Sequence, residues 1–207
     1  MHTAVNRQST QVSDSSTIVD IQTTLKGWRP MAQRQTDIWL ESARLSIRPF
    51  SVDDADEAFM CITPSLTRYM GWEPPASRHD FNVVWRSWIP KIDDGSDYVF
   101  VVRQRADGSF LGLAGLHHVR TEAPELGIWI REDRHRQGFG REAVTLVAQW
   151  ATRAIGCKSF TYPVAEENRP SRRIAESLGG VIVEGRVTPK YKSVVYRIPG
   201  QSPTSKG

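Results

Sequence analysis

Only two cysteines, Cys61 and Cys157, occur among 207 residues, far apart and without metal-ligand companions. A disulfide framework and a zinc site are therefore not indicated, no metal is expected, and a reducing cytoplasm is the natural compartment. Long apolar runs are missing as well. No stretch approaches the roughly 18 residues that a membrane helix needs, and the opening Met1-His-Thr-Ala-Val-Asn-Arg lacks the apolar segment of a secretory signal. A soluble protein without a membrane partner is expected. The net charge of +4 and a pI near 9.3 admit a nucleic-acid partner. The chain nevertheless has neither an aromatic-interleaved basic stripe nor helix-turn-helix spacing, so no nucleic acid is expected. Its arginines gather instead at two places, Arg131, Arg134, Arg136 and Arg141, and Arg169, Arg172 and Arg173.

What is present suits one domain: 39% hydrophobic residues in a chain of this length can build one core but not two ordinary ones. Residues 1–36 are polar, with the run Ser9-Thr-Gln-Val-Ser-Asp-Ser-Ser-Thr17, and read as a flexible arm. Its few apolar residues, Ile18, Val19, Ile21 and Trp28, leave room for docking on the domain or a partner. The domain spans 38–199 and a flexible tail 200–207. Within it, Arg44 to Pro49 alternates as a strand, Ser51 to Asp54 caps a helix with Ala55, Phe59 and Ile62 inward, and Ser77 caps a second helix that runs to Pro90. Strands at 98–104 and 110–119 are joined through Asp107-Gly108, a hairpin signal. A second hairpin leads into the Leu126 strand. A long helix ends near Gly156, Phe160, Tyr162 and Val164 alternate, a short helix runs from Pro170 to Leu178, and strands close the chain at 181–184 and 193–198.

The most informative stretch is Ile128-Trp129-Ile130, then Arg131 to Gln137, then Gly138-Phe139-Gly140-Arg141. Leu126, Ile128 and Ile130 have strand period; Val144, Val147, Ala148 and Ala151 have helix period. Glycines at the junction let the backbone approach an anion, and the N–H groups and dipole of the helix start favour negative charge. The arrangement is built for a pyrophosphate. Gly138-x-Gly140-x-x-Ala143 formally matches a dinucleotide fingerprint with Glu166 as the ribose carboxylate, which would make a nicotinamide-dependent oxidoreductase. In such folds, however, the first glycine follows the strand almost at once.

Three segments in order, Glu125-Leu-Gly-Ile-Trp-Ile, His135-Arg-Gln-Gly-Phe-Gly, and Glu167-Asn168-Arg-Pro-Ser171 through Gly179-Gly180, resemble the GCN5-related N-acetyltransferases (GNAT), in particular the RimJ/RimL subgroup. The resemblance implies an α/β (α+β) fold with a mixed sheet of about seven strands, flanked by helices and splayed beside the Leu126 strand at the cofactor cleft. It implies acetyl-CoA as co-substrate, held by Ile128, Trp129, Ile130, His135, Arg136, Gln137, Gly138, Phe139, Gly140, Arg141, Asn168 and Ser171. His135 stands where the family usually has Arg or Gln, at a position that contributes mainly through its backbone.

The implied reaction is attack of a neutral amine on a thioester, which needs a base, an oxyanion stabiliser and an acid for the departing thiolate. Ser171 matches the family's Asn-x-x-Ser proton donor; a cap or a hydrogen bond to CoA is the plainer reading of the same residue. Glu125 opens the strand that faces the thioester and is the candidate base, with His117, His118 and Glu122 as alternatives. The glutamate that serves as base in related members of that subgroup lies after the sixth strand, where this chain has Lys190-Tyr191. Trp72, Glu73, Trp85 and His117 are candidates for holding the acceptor, a small-molecule amine or the amino group of a peptide or protein. Trp85 and Trp88 at helical spacing with Phe81 also read as plain core. A homodimer is compatible with this organisation, as is a non-catalytic acyl-CoA sensor.

Overall fold

The computed structural model describes residues 38–202; the proposed arm at 1–36 lies outside the described residues. The elements are β1 Leu40–Glu41, β2 Leu45–Pro49, α1 Ala55–Cys61, α2 Pro64–Thr67, α3 Arg78–Arg86, α4 Ile89–Asp94, β3 Tyr98–Gln104, β4 Phe110–His117, β5 Glu125–Ile130, α5 Phe139–Trp150, β6 Ser159–Ala165, α6 Arg169–Ser177, β7 Val181–Val187 and β8 Lys192–Pro199. They form one 8-stranded sheet in the order β1-β2-β3-β4-β5-β6-β8-β7, one strand more than expected because β1 is a two-residue pairing on β2.

The expected caps act as the spacing predicts. Ser51 and Asp54 close a reciprocal capping box before α1, and the Ser77 hydroxyl accepts from Asp80 N to start α3. The second helix does not run on to Pro90. It stops at Arg86, and Pro90 falls in the first turn of a new helix, α4, where its fixed φ and missing N–H do no harm. α5 lays Val144, Val147 and Ala148 on the sheet, all essentially without exposure; each valine buried in this way contributes roughly 1.5–3 kcal/mol. The helix continues as a π turn, Ala151–Ile155, and ends at Gly156, whose φ of 85° needs no Cβ.

All neighbouring strands pair antiparallel except β5 and β6, which are parallel and registered only at Glu125↔Thr161. Beyond that point they diverge. Thr161 N bonds Pro124 O at 2.9 Å, so the strands are pinned at the start of β5 and splayed toward its end, where the glycine loop begins. The backbone groups of β5 that face β6 are left without a strand partner in the gap. At the other end of the chain Gly200 N bonds Lys158 O and the Gln201 amide reaches Leu178 O and Pro199 O, so the expected tail starting at 200 is held through Gln201.

A buried carboxylate ties the helical layer to the sheet. Asp54 has no exposed surface and accepts from Arg48 at 2.7 and 2.8 Å, from Arg103 at 2.9 Å, and from Ser51 N at 2.9 Å. Burial alone would raise its pKa; the two guanidinium groups outweigh it and hold the carboxyl below its ordinary 3.8. Its contribution is therefore complete above that value and is lost as pH falls through the lowered folded pKa. Asp54→Asn should cost roughly 2–3 kcal/mol at neutral pH, less than for a fully buried pair because both arginines reach solvent. Chemical denaturation at pH 7 measures it, and the gap from the parent protein should narrow in acid.

Candidate active site

Between β5 and α5 the backbone forms a cradle. Arg136 has φ 64° and Gly138 φ 82°, two left-handed residues separated by one, so successive N–H groups turn toward a common concavity, an arrangement that binds anions. Gly138 is the N-cap of α5, whose 12 residues aim their dipole at the same point. Arg44, on the loop before β2, braces the cradle from behind: Nη1 donates to Gln137 O at 3.0 Å and the guanidinium pairs with Glu142. That pairing neutralises the one carboxylate in the first turn of α5, which would otherwise repel a phosphate. His135 turns its ring away. Its Nε2 lies 2.7 Å from Ile130 O, and since a carbonyl only accepts, Nε2 carries the proton.

The two glycines of the motif work differently. At Gly138 a Cβ would meet only Arg44 Nη2 at 3.5 Å, and the backbone conformation is what requires glycine. At Gly140 the backbone is ordinary, but a Cβ would lie 3.3 Å from Ile174 Cδ1 and within 3.8 Å of Ile130 and Ile128 side-chain carbons. Gly140 thus allows α5, β5 and α6 to pack closely.

Two chambers meet at the splay. One, of about 960 Å³, is lined by Ile128, Trp129, Ile130, His135, Arg136, Gly138, Phe139, Gly140, Arg141, Asn168 and Ser171. These are the expected cofactor positions except Gln137, whose carbonyl is taken by Arg44. Arg68, Arg134 and Arg173 add charge there. The second arginine cluster divides: Arg173 faces this chamber, while Arg172 is occupied by Tyr196 OH at 3.0 Å and Glu166 O at 3.2 Å. Glu166, the carboxylate of the dinucleotide reading, lines neither chamber. The other chamber, about 850 Å³, lies on the α1–α4 side and holds Trp72, Glu73, His117 and Glu125. Leu66, Tyr69, Met70, Ile128, Trp129, Asn168 and Ser171 border both.

Ser171 sits at the junction. Asn168 Oδ1 caps α6 by accepting from Ser171 N at 3.3 Å, which leaves the Ser171 hydroxyl out of the cap. That hydroxyl is 2.8 Å from Tyr162 OH. Tyr162, on β6, is buried, and burial pushes its phenol up to about 12 despite the serine hydrogen bond, so it stays protonated at neutral pH. The sequence reading placed Tyr162 in a strand without a role; its partner becomes visible only when β6 and α6 are folded together.

In the second chamber Glu125 stands directly across the β4–β5 ladder from His117. The histidine ring approaches, with its Nε2, two glycines that face each other in the same ladder: a Cβ on Gly115 would be 2.3 Å from His117 Nε2, and one on Gly127 4.0 Å. Glycine at position 115 is what lets the imidazole rest there inside the chamber, whereas a Cβ at Gly127 would be in ordinary contact. Burial holds His117 below its ordinary 6.5, with Asp97, 4.0 Å away, pulling the other way. Burial raises Glu125 above 4.5, opposed by His118 and Arg186. At neutral pH the pair offers a neutral imidazole and a carboxylate of increased basicity. His118, whose N–H is bound by Asp97 Oδ1, and Glu122 do not line the chamber.

Trp85, expected to help hold the acceptor, does not line the chamber. It is buried, its Nε1 donates to Asn82 Oδ1 at 2.8 Å, and its ring packs on Phe50, while Trp88, one turn on, lines the chamber. Helical spacing put both on one face but could not say which rim of that face meets the cavity. Among the described residues no group of three or more His, Cys, Asp or Glu is placed to hold a metal, and no helix is long and apolar enough to cross a membrane.

Residues 44–181 match the model of the acetyltransferase (GNAT) domain. The chain belongs to the GNAT acetyltransferase family. Among its relatives is the uncharacterized N-acetyltransferase YoaA of Bacillus subtilis, 24% identical over 143 residues that cover 68% of this chain and 81% of that protein. The fold is similar to that of the ribosomal-protein-S5-alanine acetyltransferase of Vibrio fischeri, at TM-score 0.70 and 15% identity over 79% of this chain and 97% of that one. It is also similar to the spermidine N-acetyltransferase of Vibrio cholerae solved with CoA and spermine, at TM-score 0.67 and 18% identity over 77% of this GNAT chain and 97% of the other. The family and the sheet set aside the nicotinamide reading: a dinucleotide fold is built on a mostly parallel sheet, and among the described strands only β5 and β6 pair in parallel.

Proposed function

We propose that this GNAT protein transfers the acetyl group of acetyl-CoA to a primary amine in the cytoplasm, the amine belonging to a small molecule, a peptide or a protein. The observation that supports this most is the meeting of two chambers at Ser171, one cationic and floored by the anion cradle, the other aromatic with Glu125 and His117. The diphosphate of the cofactor lies on the Arg136–Gly138 backbone. Its pantetheine arm takes the place of the missing strand partner in the β5–β6 gap and bonds the free backbone groups there. That brings the thioester to the junction.

The acceptor enters as an ammonium and loses one proton to Glu125, or to neutral His117 beside it. The amine nitrogen attacks the thioester carbon, the carbonyl pair moves to oxygen, the nitrogen releases its second proton to solvent, and collapse of the tetrahedral intermediate breaks the C–S bond and leaves a neutral amide. Ser171 Oγ gives its proton to the departing thiolate and takes one from Tyr162 OH, to be returned through solvent. Positioning two reactants end to end can supply about 7 kcal/mol or more of the barrier, so proton transfer refines a reaction already favoured by geometry.

The base assignment is tested by the pH dependence of kcat/KM. With Glu125 raised and His117 lowered from their ordinary values, a limb set by the carboxylate should lie above 4.5 and one set by the imidazole below 6.5, and because the groups adjoin, it reports the pair. Glu125→Gln should lower kcat/KM by roughly 10- to 100-fold and move the limb. An unchanged limb would leave the carboxylate without a part in proton removal.

A further inference from the structure

At the edge of the sheet β7 is exposed along its whole length, whereas β8 beside it buries Val194, Val195, Tyr196 and Ile198. Val181, Ile182, Val183 and Val187 are each at least 50% exposed, and among the described residues no strand pairs with the outer side of β7. An uncovered edge of this kind is a template for another strand. Thr188 N bonds Tyr191 O, and Arg186 O accepts from Ser193 Oγ at 3.4 Å, so these alternate residues turn their backbone toward β8. Gly185 and Val187 then turn N–H and C=O to the outer side. The bulge in β7 falls at Val183, and from Glu184 to Val187 the register on β8 runs unbroken.

Gly185 is the centre of this stretch. Its φ lies outside the left-handed region, and among the described residues a Cβ there would meet nothing within 4 Å, so neither conformation nor packing within the chain requires glycine. Glycine inside a strand weakens it, and away from a bulge or bend it marks the close approach of another backbone. The sequence around it, Val183-Glu184-Gly185-Arg186-Val187, complements itself when reversed, with valine at both ends and opposite charges on either side of the glycine. An antiparallel copy centred on Gly185 sets Glu184 against Arg186 and Val183 against Val187. Centring on Glu184 or on Arg186 would set like charges face to face, which is unfavourable.

We propose that β7 is the contact strand of a homodimer: it pairs antiparallel with β7 of a second copy about a two-fold axis at Gly185, continuing the sheet from one copy into the other. The interface is isologous. The two glycines exchange two N–H···O bonds, and Glu184 and Arg186 fall in the flanking pairs, where opposing side chains come closest. Within one chain these two side chains bond at 2.7 and 2.8 Å and are about half exposed, so the dimer joins two ion pairs into a ring of four alternating charges. Arg186 also lines the chamber that holds Glu125, so the contact lies at the rim of the candidate site.

The test is sedimentation equilibrium of the full chain at about 10–100 μM, a range in which a small interface populates its dimer. The parent should be dimeric. Glu184→Arg and Arg186→Glu each set like charges together at two places and should weaken association by about tenfold or more. Mixed in equal amounts, the two variants should regain it as a heterodimer, since one carries arginine at both positions and the other glutamate at both. The double variant Glu184→Arg/Arg186→Glu should dimerise like the parent. A parent dimer indifferent to both single variants would overturn the proposal, as would a mixture or a double variant that stays monomeric. A monomeric parent would overturn it too, and hydrogen exchange at the Gly185 and Val187 amides then names what holds the edge. Protection lost on removal of residues 1–36 gives it to that segment, and free exchange leaves it to a different chain.

Discussion

Gly138→Asp is expected to weaken acetyl-CoA binding by about 100-fold or more, about 2.8 kcal/mol, with the fold intact. The substitution adds a carboxylate at the N-cap of α5, beside the backbone groups that receive the diphosphate. Two unit charges about 4 Å apart near a protein surface repel by roughly 4 kcal/mol, which exceeds that loss. The fold is spared because Gly138 is exposed and a side chain there meets only the Arg44 guanidinium. Gly138→Ala separates conformation from charge: its left-handed backbone costs roughly 1–2 kcal/mol without repulsion, so its effect should be the smaller. Titration calorimetry with acetyl-CoA decides, and an aspartate variant that binds like the parent would remove the diphosphate from this loop. Sequence spacing alone makes Gly140→Asp equivalent. The structure does not, since that side chain would press on Ile174 and disturb the packing of α6.

Ser171→Ala should lower kcat by about 10- to 1,000-fold with a smaller change in affinity for acetyl-CoA, because a proton donor to the thiolate acts only once the C–S bond breaks. Tyr162→Phe should lower kcat in the same direction and less, since it removes the hydroxyl behind Ser171 and keeps the ring that fills the core beneath β6. If the serine only binds the cofactor, Ser171→Ala raises KM for acetyl-CoA and leaves kcat, and Tyr162→Phe is then close to silent. Steady-state kinetics at saturating acceptor distinguish the two patterns.

Local chemistry was legible in the sequence wherever it is set by neighbours along the chain. The capping residues Ser51 and Ser77, the Asp107-Gly108 turn, β3 with its bounds and the strand, loop and helix around Gly138 all follow from spacing. Pro90 misled because proline ends a helix and also suits the first turn of the next, and which occurs depends on the chain's direction after Trp88. The four-residue α2 and the two-residue β1 are too short to show a period. In the site the cradle was readable, and the groups that complete it were not. Arg44 comes from the loop before β2 and Tyr162 from β6, each significant only through a partner, 93 and 9 positions away.

The measurement that bears most directly on the account is release of free thiol from acetyl-CoA in the presence of primary amines, with the acceptor recovered and weighed by mass spectrometry. The account predicts thiol release that depends on the amine, matched one for one by acceptor carrying a single acetyl group on nitrogen, and cut about 100-fold or more by Gly138→Asp at subsaturating acetyl-CoA. Tight binding of acetyl-CoA with no thiol release across aromatic, aliphatic, polyamine and peptide amines would contradict it.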